Sequence, residues 1–251
     1  MSDELDPMDD FDDFDDFDDF DDDLDLTLYA DQPELLQEVT TQVIEVVETG
    51  LRINGIFHLA LTGGTLGSDL TRALVVHWNA NPEMYQGLHI WWSDERFVER
   101  SSSEQNSAPT LNTVTNQNVV IHTLRASDEV ANIEVAVDDY LVQLGENFMD
   151  LTILGLGPDG HVASLFPGAA HIDRLEKVIA ITDSPKPPAI RATFTMSMIN
   201  TSTLIWIIAA GASKAEAVTK IIEGDLSIPA SYVRAADHTR LIVDTDAFFT
   251  E

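Results

Sequence analysis

The chain contains no cysteine. That removes disulfides, thiolate nucleophiles and cysteine metal sites together, and it suits a reducing compartment. Basic residues are scarce as well: 13 Lys and Arg stand against 44 Asp and Glu, for a formal net charge of -31. Nucleic-acid phosphates are held by clustered Lys and Arg, so no nucleic-acid partner is expected. No run reaches the roughly 18 to 20 uninterrupted apolar residues that a bilayer span needs, and the N-terminus is acidic where a signal peptide is basic. A cytoplasmic protein without membrane contact is therefore expected. The seven histidines show no H-E-x-x-H and the acids no calcium-loop spacing, while no serine occupies G-x-S-x-G. The sequence thus predicts no metal, no cofactor and no nucleophile elbow, so any catalysis rests on other groups.

What is present begins with an uneven distribution of charge. Met1 to Asp25 carries 15 of the acids and no base, and Phe11 to Asp23 repeats Phe-Asp-Asp four times. Such dense like charge is expected to stay disordered, giving an acidic tail over residues 1–26. Its regular phenylalanines suit docking on a basic, hydrophobic protein partner, and its charge equally suits plain solvation. The remaining residues, 27–251, are long enough and apolar enough for one substantial core, and a single domain is expected there.

Within that domain, helical and strand-like segments alternate. Leu35, Leu36, Val39, Val43, Ile44, Val46 and Val47 recur at helical spacing, and Gly50 to Gly55 is expected to close that helix. Short apolar runs at 56–61, 88–92, 119–124, 151–154, 178–182, 203–210 and 240–244 read as strands. Helical stretches at 68–78, 127–144 and 213–223 separate several of them. Strands alternating with helices predict an α/β fold: a doubly wound, mostly parallel, Rossmann-like sheet with helices on both faces. Ligands in such folds bind beyond the carboxyl ends of the strands, which directs attention to the loops there.

Four loops carry candidate chemistry. Thr62-Gly63-Gly64-Thr65 combines a tight turn with free N–H groups at a helix start, an arrangement suited to an anion and equally to a simple turn. In Trp92 to Val98, Arg96 is placed to clamp a phosphate, with Asp94 and Glu95 to orient it or to meet sugar hydroxyls; a local salt bridge is the other reading. Gly155 to Gly160 spells a formal G-x-G-x-x-G, but Pro158 and Asp159 put a rigid ring and a negative charge where a pyrophosphate would sit. The same string suits a turn that presents His161 at the sheet edge as a base. Lastly, Ser184-Pro185-Lys186-Pro187-Pro188 stiffens the chain around Lys186, with Arg191 close behind.

Taken together and in order, these loops resemble the 6-phosphogluconolactonase family, within the wider glucosamine-6-phosphate isomerase/lactonase superfamily. The most specific string runs from Leu154 to Gly168. Its ending Ser164-Leu165-Phe166-Pro167 is similar to the lactonase branch, where the deaminase branch reads Phe-Asn-Glu-Pro. Trp92 to Val98, Ser184 to Pro188, Gly211 to Ala215 and Pro229-Ala230-Ser231 also match. Two positions depart from the pattern: Leu66 stands where proline is usual, and Glu104-Gln105-Asn106 replaces Asp-Ser-Asn, leaving Asn106 as the equivalent asparagine.

The resemblance implies a cofactor-independent hydrolase of the oxidative pentose phosphate pathway that opens 6-phospho-D-glucono-1,5-lactone to 6-phospho-D-gluconate. It implies His161 as the base that activates water, Asp159 as its orienter, and Arg96 and Lys186 as the phosphate grip with Arg191 nearby. Gly63, Gly64 and Thr65 then line the sugar site. A sugar-phosphate isomerase or deaminase on the same fold, a noncatalytic sugar-phosphate sensor and an accessory to a pathway enzyme are the competing readings.

Overall fold

The computed structural model describes residues 24–169 and 171–249. The Phe-Asp-Asp segment, with the disorder and the protein partner expected of it, lies outside them. In chain order the elements are β1 (Leu24–Tyr29), α1 (Gln32–Asn54), β2 (Phe57–Leu61), α2 (Gly64–Ala80), β3 (Leu88–Trp92), β4 (Asp94–Arg96), α3 (Ala108–Leu111) and β5 (Val119–Ile121). They continue with α4 (Ile133–Leu144), β6 (Leu151–Gly155), β7 (Val178–Ile181), β8 (Arg191–Phe194), α5 (Met196–Ile199), β9 (Leu204–Ala209), α6 (Ala215–Ile222), β10 (His238–Asp244) and α7 (Thr245–Phe248).

Local sequence explains the helix ends. Asp31 caps α1 by accepting from Glu34 N at 2.9 Å, while Glu34 Oε2 accepts from Ala30 N at 2.7 Å, just before the cap, which fixes the entry of the chain into the helix. The helix then buries Leu35, Val39, Val43, Val47 and Leu51 on one stripe and ends at Gly55, whose φ of 73° is left-handed. It runs through Gly50, the point at which closure was expected to begin. A Cβ there would lie 2.3 Å from the Phe57 ring, so this glycine admits the first strand residue against the helix rather than stopping it.

Seven strands form a parallel sheet in the order β1-β10-β9-β6-β2-β3-β5. Side chains alternate between its faces. In β9, Trp206 and Ile208 join α1 and α2 on one side, whereas Ile205, Ile207 and Ala209 join α4, α6 and α7 on the other. The sheet is therefore covered on both faces, as the alternating pattern implies. Chain order runs outward from β2 through β3 and β5 and, in the opposite direction, from β6 through β9 and β10, with β1 added at that edge, which makes the β2–β6 boundary the topological switch point.

Three features differ from the sequence expectation. Strand β1 pairs with β10 from Leu24 onward, so the domain boundary drawn at 26/27 falls inside a strand. The run at 178–182 does not enter the main sheet; as β7 it pairs antiparallel with β8, which pairs with β4 to make a separate three-stranded sheet. The segment 127–132 is turn, and α4 starts only after Asn132, whose side chain caps Val135 N.

Candidate active site

The crevice at the switch point opens where β2 and β6 part. Those strands pair at Leu59–Leu151 and Ala60–Thr152, and beyond that Thr62 Oγ1 accepts from Gly155 N at 3.2 Å, tying the two following loops together. The cavity there is about 500 Å³ and is lined by residues of all four loops singled out in the sequence. Gly63, Gly64, Thr65, Asp94, Arg96, Asn106, His161, Lys186 and Arg191 line it, and Asp159 stands behind His161.

The first wall is the start of α2. Gly64 has φ +75°, and the helix begins there with no side-chain cap, so its first N–H groups have no side-chain acceptor at Gly63, and Gly63 to Gly67 line the cavity. Gly63 is required by a close approach, since a Cβ on it would lie 1.8 Å from Asn106 Oδ1.

The second wall is β4 and the loop after it. Asp94 is buried, accepting from Asn106 Nδ2 at 2.9 Å and from Ser164 Oγ at 2.7 Å. Glu95 is buried too, and its carboxylate accepts three backbone N–H bonds, from Arg96 at 2.8 Å, Asn106 at 2.7 Å and Ser107 at 2.9 Å. Neither acid orients the Arg96 guanidinium, whose Nη1 donates instead to Glu104 O at 2.7 Å. The two carboxylates hold the loop that carries Asn106. The Asn106 Oδ1 is buried with no donor among the described residues, leaving an acceptor at the cavity edge.

The third wall carries the titratable group. After β6 the chain turns tightly, with Gly160 N donating to Gly157 O and Gly157 N to His161 O, both at 2.9 Å. No helix follows, which removes the structural context a dinucleotide loop needs. His161 Nδ1 lies 2.5 Å from Asp159 Oδ1, and its ring packs on Phe166 with 4.8 Å between centroids. Burial lowers the imidazole pKa; Asp159 opposes this and the Lys186 charge adds to it. Burial alone would raise the Asp159 carboxyl, but the bonds and charges of His161 and Lys186 prevail and bring it to about 2. An ionised Asp159 accepting from Nδ1–H leaves the Nε2 lone pair free, which is the tautomer a base requires.

The fourth wall is the proline loop. Arg191 starts β8 and fastens that loop by donating from Nε to Pro188 O at 2.9 Å and from Nη2 to Lys186 O at 2.9 Å and Pro187 O at 3.1 Å. Its Nη1 reaches Ser164 Oγ at 3.3 Å and lies 3.8 Å from Asp94. Arg191 is thereby largely committed to holding the loop. Lys186 Nζ projects from it to 3.0 Å from both Asp159 Oδ1 and His161 Nδ1.

Sequence reasoning passed over Lys214. It lines the cavity in the turn after β9, and its pKa is lowered by burial and by the neighbouring Lys186 charge. The rule that singled out the other loops, a glycine turn beyond a parallel strand, applies equally to Gly211-Ala212-Ser213-Lys214. Ser164 had no such signal, because its bond to Asp94 spans 70 residues. Among the described residues no group of three His, Asp or Glu side chains is arranged to hold a metal, and no helix is long and apolar enough to cross a membrane.

A histidine backed by a carboxylate, beside several cations and an uncapped helix start, is an arrangement that can hold an anion and move a proton. Known proteins share this framework. The model of the glucosamine-6-phosphate isomerases/6-phosphogluconolactonase family matches residues 30–243.

The chain belongs to the glucosamine-6-phosphate isomerase/6-phosphogluconolactonase family.

A 6-phosphogluconolactonase of Streptomyces coelicolor is 30% identical over 241 residues, covering 88% of this chain and 92% of that protein. The Mycobacterium tuberculosis 6-phosphogluconolactonase is 30% identical over 240 residues, covering 88% and 96%. The crystal structure of 6-phosphogluconolactonase from Thermotoga maritima superposes with a TM-score of 0.77 at 25% identity, over 88% of this chain and all of that one. The family unites isomerases and lactonases, so the residues of the cavity have to argue which chemistry this member performs.

Proposed function

We propose that this chain hydrolyses 6-phospho-D-glucono-1,5-lactone to 6-phospho-D-gluconate in the cytosolic pentose phosphate pathway, with His161 as general base. The observation that carries the reading is the His161–Asp159 pair at 2.5 Å facing a cavity that gathers Arg96, Lys186, Arg191 and Lys214 from a chain with only 13 basic residues. Such concentration of cations on an otherwise acidic molecule focuses a phosphorylated substrate into the crevice.

The substrate's phosphate takes the α2 start, Lys186 and Lys214, with Arg96 on the neighbouring wall, and its ring lies toward Gly63 and Asn106. His161 Nε2 removes a proton from water as the oxygen attacks the lactone carbonyl carbon. Asp159 steadies the imidazolium that results. Collapse of the tetrahedral intermediate breaks the bond to the ring oxygen, which takes the proton back from His161 as the hydroxyl of the open acid. An isomerase would need a further acid placed to move a carbon-bound proton. The one carboxylate among the described residues lining this cavity is Asp94, which is committed to Asn106 and Ser164.

The test is hydrolysis of freshly generated lactone at controlled pH, with the spontaneous rate subtracted. Replacement of His161 by alanine is expected to lower kcat by roughly 10²- to 10⁴-fold. No wild-type turnover above background would overturn the activity, and undiminished turnover in His161→Ala would remove the histidine from its role.

A further inference from the structure

The oxygen that steadies His161 also holds a lysine. Asp159 Oδ1 lies 2.5 Å from His161 Nδ1 and 3.0 Å from Lys186 Nζ, and that ammonium is 3.0 Å from Nδ1 as well. We infer that the substrate's phosphate switches on its own hydrolysis by drawing Lys186 off Asp159, so that Lys186 makes phosphate recognition a condition for an active base. This rests on the functional reading above and adds to it a cause for phosphate specificity.

The physical argument concerns a shared acceptor. A carboxylate stabilises an imidazolium through its uncompensated charge, and an ammonium on the same oxygen cancels much of that charge. With Lys186 in place, the imidazole is therefore held as a poor base, and a cation beside Nδ1 opposes a second positive charge on the ring. The other charges facing His161 do not undo this. Asp94, on β4, favours the imidazolium from a distance, but it is already engaged by Ser164, Asn106 and the Arg191 guanidinium. Lys214 is coupled to Lys186, whose charge lowers its pKa, and supplies no negative charge to His161.

Lys186 is free to respond. Its side chain is 40% exposed, its backbone is pinned by Arg191, and its four-carbon stem lets the ammonium swing toward an anion at the α2 start without moving the loop. A phosphate dianion is the stronger partner for that ammonium because it brings two charges and the uncapped helix N-terminus shares the load. Binding at the remote end of the substrate is then converted into reactivity at the carbonyl, and a lactone without phosphate finds the base suppressed.

The test uses unphosphorylated D-glucono-1,5-lactone with and without phosphite dianion as a separate piece. In the wild-type protein, phosphite is expected to raise kcat/KM for this lactone by about tenfold, part of the 10²- to 10⁴-fold that a general base supplies. Phosphite is also expected to raise the His161 pKa followed by NMR. In Lys186→Met, turnover without phosphite is expected to exceed the wild-type value, and phosphite to leave both rate and pKa unchanged. A wild-type His161 pKa that does not move with phosphite overturns the inference, as does equal activation in Lys186→Met. The phosphorylated lactone, run alongside, separates the two levels. No turnover of it ends the functional reading, whereas normal turnover with a phosphite-insensitive His161 removes the coupling alone.

Discussion

The His161 ring lies directly over the Cα of Gly157: a Cβ built at position 157 would stand 1.8 Å from Nδ1 and 2.5 Å from Asp159 Oδ1. The glycine therefore makes room for the imidazole and the Asp159 carboxylate together. Gly157→Ala is expected to keep the fold, because Gly157 is not among the positive-φ glycines, and to displace the imidazole. Displacement of about 1 Å costs on the order of 10²-fold in rate. Steady-state kinetics paired with thermal unfolding checks this, and an unchanged kcat would show that the ring is not held where it works.

Asp159→Asn removes the charge that raises the His161 pKa against the effect of burial. In the proposed mechanism the base is the neutral imidazole, so activity is expected to rise with pH through that pKa and to be flat above it. Losing Asp159 lowers the pKa and moves the acid limb of the kcat/KM profile to lower pH. The plateau is expected to fall as well, by up to the roughly 10⁴-fold seen when an orienting carboxylate is lost from a Ser-His-Asp triad. A limb that moves to higher pH would contradict the arrangement.

Arg191→Lys keeps a positive charge near Asp94 but cannot serve the carbonyls of Lys186, Pro187 and Pro188 at once. Each bond lost to these partly buried carbonyls costs about 0.5–1.5 kcal/mol. A lower Tm and a raised KM are expected together, because the loosened loop carries Lys186. A changed Tm with unaltered KM would separate the loop from substrate binding.

A second histidine group lies on one sheet face, away from the base. His89 Nδ1 is 2.9 Å from His122 Nε2, the His58 ring lies tilted beside His89 at 4.8 Å, and the His122 ring lies on Trp91 at 3.7 Å and 2°. Burial, and for His58 and His122 also the neighbouring His89, lowers all three pKa values, that of His122 to about 4. With folded values below the unfolded 6.5, the unfolded chain binds more protons, so stability is full above pH 6.5 and is lost as pH falls toward 4. His122→Phe, which preserves the stack on Trp91, is expected to flatten that fall in Tm over the same range. An identical slope in wild type and variant would mean that His122 does not titrate in the folded state.

The alternation of helix and strand, the four loops and the cations they carry were legible because each depends on neighbours within a few residues. A glycine turn, a helix cap and a two- or four-residue hydrophobic period are local quantities. Strands β4 and β8 were not legible, since three or four residues reading Asp-Glu-Arg and Arg-Ala-Thr-Phe carry no period of their own and become strands only through tertiary pairing, β4 with β8 and β8 with β7 as well. The same limit explains β1, whose Asp25 and neighbouring acids hid a strand that exists because β10 supplies its partner.

Residue types at the strand ends by themselves determined that a histidine and several cations would face one crevice of a doubly wound sheet. Tertiary structure alone decided how those residues divide their work: Arg191 fastens the proline loop, Asp94 and Glu95 hold Asn106, and Lys186 shares an oxygen with His161. The reason is that a charged group's role is set by which acceptor it meets first. Those acceptors come from segments far apart in the chain, brought together only when the sheet closes.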